Sequence, residues 1–164
     1  MAKAILLCGK ICCGNTTYAQ ALKREHPALI LCVDEITLAL GDALRAERFD
    51  AAVERTKTYL LQKSLEILDL GLDVILDWGF WPRAERESVR AFYAAHHIPS
   101  ELHYLCADDS ARRRNIAARN AEAYQKDTEF YFVDDGLLKK CDSLFEAPDE
   151  RETDLRIVNG ARQS

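Results

Sequence analysis

The sequence predicts an α/β domain with a mainly parallel sheet, and three observations carry that prediction. Short apolar runs alternate with longer stretches of helical periodicity from end to end. Several of those runs stop at a glycine or an aspartate, which brings polar residues to one edge of such a sheet. The length, 164 residues, suits one domain with a sizeable core, spanning residues 1–164.

Ala4 to Cys8 is a continuous apolar run ending at Gly9 and reads as a buried strand. Thr16 to Glu25 reads as a helix closed by Pro27. Leu29 to Val33 is a second buried strand, ending at Asp34. From Asp50 to Leu70, Val53, Tyr59, Leu60, Ser64, Ile67 and Leu68 recur with helical spacing, and Gly71 suits a C-cap. Val74 to Leu76 is a third strand, ending at Asp77, and a helix from Arg83 to His97 follows Pro82. Leu102 to Cys106 is a fourth strand, and a helix carrying several arginines begins at Asp109. The tract Asn120 to Glu152 is the least regular and has one helical candidate, Val133 to Cys141. Leu155 to Val158 is the last strand. No internal repeat or low-complexity linker interrupts this order.

Hydrophobic residues make up 48% and charged residues 30%, as in a soluble globular protein. A formal net charge of −5 does not favour non-specific nucleic-acid binding, although Arg112-Arg113-Arg114 forms a local basic run. No secretory signal pattern and no membrane-length apolar segment appears, so a cytoplasmic location with reduced thiols is expected for the six cysteines. Adjacent Cys12 and Cys13 do not match zinc-ligand spacing, and His96-His97 has no supporting cluster.

The first strand runs into Cys8-Gly9-Lys10-Ile11-Cys12-Cys13-Gly14-Asn15-Thr16-Thr17, one residue away from the phosphate-binding pattern GxxxxGK[ST]. Gly9 and Gly14 have the right spacing to curl the chain so that successive N–H groups point inward. Small Cys12 and Cys13 do not crowd the turn. The following helix adds its N-terminal donors and partial positive charge. Thr16 stands where a hydroxyl contacts Mg²⁺, and Thr17 offers another hydroxyl to phosphate. The departure is Asn15, where the pattern has lysine. An ammonium bridging the β- and γ-phosphates stabilises transition-state charge, so its loss should weaken catalysis more than binding. Two routes stay open. Lys10 stands where the variant loops of MinD-like ATPases carry a lysine that acts across a dimer interface, and could act in trans. Alternatively, Asn15 leaves a binder with little turnover. The bland alternative is a strand-to-helix turn with Thr16 as N-cap.

Several stretches together resemble one family. CGKICCGNTTYA resembles the CGKICSGKSTYA-like start of the small P-loop kinases of AAA_33 type, which are related to zeta toxin, chloramphenicol phosphotransferase and the kinase half of polynucleotide kinase. LCVDEI resembles that family's second-strand ending, VILDWGFWPRAERESVR its third-strand segment, RRRNIAARN its arginine-bearing lid and LFEAPDE a late acidic element. The resemblance covers nearly the whole chain. It implies a P-loop NTPase three-layer sandwich, five parallel strands in the order 2-3-1-4-5, and a mobile helical lid at about residues 110–130 over ATP.

In the family, the acidic residue at Asp34 resembles the acceptor of a proton from a substrate hydroxyl; it could also simply cap the helix beginning at Glu35. Asp77 ends its strand beside the expected Mg²⁺ position and suits a hard cation, or is a turn aspartate. Trp78, Phe80 and Trp81 belong to the core or wall a substrate pocket, Trp81 being the better pocket candidate. Arg83 and Arg86 lie on the first turn of the next helix, and LDWGFWPR resembles the DGFPR stretch of adenylate kinases, which points to Arg83 as a holder of acceptor phosphate; a solvated helix face is the alternative. Arg112 and Arg119 share a helix face, and one or two of the lid arginines are expected to reach ATP.

The expected function is phosphoryl transfer from ATP to a small-molecule hydroxyl. Mg²⁺ would be held by Thr16 and Asp77, with Asp34, Arg83, Arg86 and Lys10 around the reaction and residues 9–17, Arg112 and Arg119 around the nucleotide. The alternatives are a catalytically weak nucleotide-binding regulatory protein and a nucleic-acid 5′-hydroxyl kinase, the latter disfavoured by the net charge. The acceptor and the oligomeric state are not legible.

Overall fold

The structure is a computed structural model that describes residues 1–125 and 131–159. The expected lid coincides with a helix up to Gln125, while residues 126–130 of it lie outside the described residues.

Five strands form one parallel sheet: β1 (Ala4–Cys8), β2 (Ala28–Cys32), β3 (Asp73–Gly79), β4 (Ser100–Ala107) and β5 (Leu155–Asn159). Their order is β2-β3-β1-β4-β5, as the family resemblance implied. The intervening helices are α1 (Asn15–Glu25), α2 (Val33–Leu40), α3 (Phe49–Asp69), α4 (Arg83–Ala95), α5 (Asp109–Gln125) and α6 (Asp135–Leu144). Two short 3-10 turns, Gly41–Ala43 and Ala46–Arg48, link α2 to α3.

Alternation along the strands divides the core into two layers. Ile5, Leu7, Ile75 and Leu105 meet Ala19 and Leu22 of α1 on one face. Ala4, Leu6, Cys8, Val74 and Leu76 meet Leu60, Ile67 and Leu68 of α3 and Val89 and Tyr93 of α4 on the other. All five residues of β1 are buried, because the central strand of a sheet covered on both sides has no polar face. Each fully buried Leu or Ile contributes about 1.5–3 kcal/mol. The buried polar pair in the second layer is satisfied: the Ser64 hydroxyl lies 2.8 Å from that of Tyr93.

Two expectations need correction. The second strand is not fully buried: only Leu31 of β2 is, and Leu29 is 39% exposed, because β2 is an edge strand. The late helix starts at Asp135 rather than Val133, because the Asp134 carboxylate caps it by accepting from the Leu137 N–H at 2.7 Å, and Val133 turns into the core instead.

The third strand runs further than its apolar run, through Asp77 to Gly79. Leu6 pairs with Leu76 but Cys8 pairs with Gly79, so β3 carries one extra residue over that interval. This irregularity bends the strand end beside the first loop. Gly79 then takes φ 83 and Phe80 φ 47, and the chain turns sharply into α4.

Candidate functional site

The loop between β1 and α1 turns on two residues in the left-handed region, Cys12 at φ 62 and Gly14 at φ 98. Gly9 is required by space as well: a Cβ there would meet the Asn15 Oδ1 at 2.7 Å and the Leu105 carbonyl at 2.9 Å. Side chains from two other segments take up the loop's carbonyls. Trp81 Nε1 donates to Gly9 O at 3.0 Å, Arg112 Nε to Ile11 O at 3.0 Å and Asn115 Nδ2 to Cys12 O at 2.9 Å. The N–H groups of Cys12, Gly14, Asn15, Thr16 and Thr17 meet no acceptor among the described residues. A loop whose acceptors are spent and whose donors are open, at a helix N-terminus, is suited to an anion.

The position that departs from the motif has its own signature. The Asn15 side chain packs against Gly9, with Nδ2 3.5 Å from Leu7 O. Its Oδ1 is buried without a partner, a cost of about 1–3 kcal/mol. Lys10 does not turn inward to replace a lysine at 15. Its ammonium lies 5.7 Å from the Phe145 ring centroid and acts on Asp142 of α6.

Thr16 and Asp77 are brought together as expected: Thr16 Oγ1 donates to Asp77 Oδ2 at 3.0 Å. Asp77 shares the α1 side of the sheet with Ile75 and is 7% exposed. Burial pushes its pKa up to about 6, the Thr16 hydrogen bond opposes that, and repulsion from Asp34 adds to it. A buried carboxylate in this condition, paired with a hydroxyl, is a donor set that suits a hard cation such as Mg²⁺.

Asp34 lies in the first turn of α2 rather than capping it, since Cys32 holds the cap position. More than half of its side chain is open, yet the protein around it still raises its pKa by desolvation, with Arg119 pulling the other way. Arg119 Nη2 stands 4.0 Å from Asp34 Oδ2, its Nη1 3.9 Å from Cys12 Sγ, and its Nε donates to Tyr131 O at 3.2 Å.

The other expected arginines are placed differently. Arg112 is bidentate to Asp142, at 2.9 and 2.5 Å, besides bracing Ile11. It acts as a bracket between loop and α6. Arg83 is half exposed and faces Glu87, Asp149 and Glu152. Arg86, expected beside the acceptor, is 1% exposed. Its Nη1 donates to Phe80 O, Trp81 O and Glu146 O at 2.9–3.1 Å, and its Nε to Glu152 at 2.9 Å. These bonds spend its guanidinium inside the protein, which corrects the acceptor expectation for this residue. Phe80 is core, Trp78 packs beside it, and Trp81 serves as the brace on Gly9.

The sequence reading missed Tyr131. Tyr131 donates its hydroxyl to Thr37 at 2.7 Å and meets Phe49 edge-on at 5.8 Å, next to Asp34 on α2. Tyr131 sits in the aperiodic tract, so nothing local marks it. Asn115 was findable: with Arg112 and Arg119 it completes one face of α5 at helical spacing.

The sequence matches the AAA_33 family, described as an AAA domain, over residues 5–148. A putative kinase from Chloroflexus aurantiacus has a similar structure, with TM-score 0.70 at 17% identity, covering 96% of this chain and 86% of that one. Kti12 from Chaetomium thermophilum, solved with ADP-AlF3, gives TM-score 0.67 at 14% identity over 98% and 90%. The Mycobacterium tuberculosis APS kinase CysC, solved with AMPPNP and APS, gives 0.64 at 17% over 97% and 89%. No curated protein sequence matches. No helix among the described residues is long and apolar enough to cross a membrane. With a match over residues 5–148, a sheet in the order β2-β3-β1-β4-β5 and a glycine loop at the end of β1, the chain belongs to the AAA_33 family and has the fold of the small P-loop kinases.

Proposed function

We propose that the protein binds ATP with Mg²⁺ and transfers the γ-phosphoryl group to the hydroxyl of a small molecule. The observation that carries this is the Thr16–Asp77 pair beside a loop of open N–H donors, with Asp34 at the neighbouring strand end. Thr16 and Asp77 would hold Mg²⁺, which supplies positive charge to the phosphates when bound. The N–H groups of residues 12–17 would orient the phosphate oxygens. Asp34 accepts the acceptor's hydroxyl proton as that oxygen bonds to the γ-phosphorus and the bridging oxygen departs with ADP. Its raised pKa makes it a better base than an ordinary aspartate. Arg83 remains the candidate to hold the acceptor, with Glu87, Asp149 and Glu152 as the partners it would exchange. Kinases among the structural neighbours support the reaction class.

A second reading, a nucleotide sensor without turnover, is favoured by the uncharged Asn15 and its buried, unpaired oxygen. Calorimetric titration with ATP and ADP, with and without Mg²⁺, followed by ATP consumption across a panel of small alcohols and sugars, separates the two. Acceptor-dependent ADP release supports the kinase. Tight nucleotide binding with no acceptor dependence supports the sensor. Absence of binding at millimolar ATP sinks both. The cytoplasmic location is part of the same proposal and is testable by fractionation.

A further inference from the structure

We infer that Trp78 determines acceptor specificity: its indole N–H receives a second, uncharged oxygen of the acceptor, which is therefore polyhydroxylated, as a sugar or polyol is. The inference rests on the phosphotransfer reading above. The chain has two tryptophans, and their N–H groups are in opposite states. Trp81 Nε1 donates to Gly9 O at 3.0 Å. Trp78 is half-buried, and its Nε1 is buried and meets no acceptor among the described residues. An indole nitrogen is a donor only, and a buried donor left unmade is destabilising. The ring packs on Phe80 with centroids 4.9 Å apart, and that contact needs no N–H. A phenyl ring would make it without an unpaired donor, so packing alone does not account for an indole here.

The place of Trp78 in the fold does account for it. Asp77 and Trp78 are successive residues of β3, so their side chains leave opposite faces of the sheet. Asp77 meets Thr16 on the nucleotide side. Trp78 packs with the layer that holds Val33 and Ile36 of α2 and Val53 of α3. Asp34, the proposed base, stands between Val33 and Ile36 in the first turn of α2. The register agrees: Cys32 pairs with Asp77, so Trp78 is one residue past the last β2–β3 pair, beside the entry to α2. An acceptor with one hydroxyl at Asp34 lies next to Trp78 and can set another oxygen on its N–H. The adjoining segment is lightly held, since neither 3-10 turn after α2 contributes a buried residue. A small shift there admits the oxygen with little loss of packing. A neutral donor among Val33, Ile36 and Phe80 matches a hydroxyl or ring oxygen. A charged group would lose its water there and gain no counter-charge from the indole. A site built this way rejects an acceptor lacking the second oxygen, because its own buried N–H then stays unpaired.

The test compares wild type with Trp78→Phe, which keeps a ring on Phe80 and removes the N–H. Turnover of ATP with Mg²⁺ is measured with glucose, sorbitol and glycerol, and with the single-oxygen alcohols propanol and cyclohexanol. Wild type should favour its best polyhydroxylated probe by about tenfold or more in kcat/KM. Trp78→Phe should lose about tenfold with that probe, mainly through KM, and almost nothing with the single-oxygen alcohols. The KM for ATP should stay within about twofold of wild type. A second readout does not pass through turnover. The proton–nitrogen correlation spectrum of wild type holds two indole peaks, and Trp78→Phe identifies the one from Trp78. Adding the best probe to the protein with ADP and Mg²⁺ should move that peak downfield. An equal fall for both kinds of alcohol means that Trp78 only packs, and overturns the inference. A preference that survives Trp78→Phe overturns it too, as does an unmoved Trp78 peak with a probe that wild type phosphorylates. Each of these leaves the kinase reading intact. No turnover of any probe by wild type overturns the kinase reading and this inference together.

Discussion

Two arginines flank the phosphate loop, and they differ in exposure. At the β3–α4 corner, Arg86 is 1% exposed and meets three carbonyls and a carboxylate at 2.9–3.1 Å. On the α5 side, Arg119 is 22% exposed, and its contacts include the loop thiol at 3.9 Å, an aspartate at 4.0 Å and the Tyr131 carbonyl at 3.2 Å. A buried guanidinium must satisfy its donors within the protein, and once it has done so it has nothing left for a ligand. Arg86 therefore maintains the wall behind Gly9. The Phe80 and Trp81 carbonyls it holds belong to the turn whose Gly79 carbonyl accepts from Gly9 N at 3.1 Å and whose Trp81 indole bonds Gly9 O.

Arg86→Ala should break the corner and is the largest expected effect. It strands Glu152 and three carbonyls, a loss of about 3–5 kcal/mol. Thermal unfolding should fall by on the order of 10 °C. Arg86→Lys should recover little, because one ammonium cannot reproduce the spread of a guanidinium. Arg119→Gln, at a side chain that is 22% exposed, should lower the melting temperature less. Equal destabilisation by the two substitutions would erase the distinction drawn between them.

Asp77 carries the next effect, with the opposite sign for stability. Burial raises its pKa from 3.8 to about 6, so the folded chain holds that proton more tightly than the unfolded chain does. The ionised carboxylate consequently costs stability. The cost grows as pH rises from about 3.8 to about 6 and is constant above that. Asp77→Asn should stabilise the protein by up to about 3 kcal/mol at pH 7 and by almost nothing near pH 3. The same substitution should abolish any Mg²⁺-dependent gain in nucleotide affinity. Melting curves from pH 3 to 8, with and without Mg²⁺ and ADP, check both halves. A pH-independent difference would show that Asp77 is not the strained acid its surroundings imply.

The two sides of the loop also differed in how far they could be read from sequence. β1, α1 and α3 were legible because a continuous apolar run, a glycine loop and helical spacing are local signals. Asp77 was marked as the end of a strand, but the irregular register that bends the strand end beside it was not, since register depends on β1. Arg86 was misread because its partners, Glu146 and Glu152, lie 60 and 66 residues away. On the other side, Arg112 and Arg119 announced a helix face, but no local pattern separates the one clamped by Asp142 from the one that reaches Cys12 and Asp34. Edge exposure of β2 followed from strand order, which the family resemblance supplied and periodicity could not.

Tyr131→Phe gives the smallest effect and tests whether the Tyr131 hydroxyl bears on Arg119. It removes the 2.7 Å bond to Thr37 Oγ1, which keeps its own bonds to Val33 O and Asp34 O. The ring stays against Phe49, so the loss should be about 0.5–1.5 kcal/mol. Arg119 is anchored to the Tyr131 carbonyl rather than to its hydroxyl, so the ATP-over-ADP ratio should stay within about twofold of wild type. A tenfold fall in that ratio would mean that the hydroxyl aims the guanidinium through the backbone of residue 131.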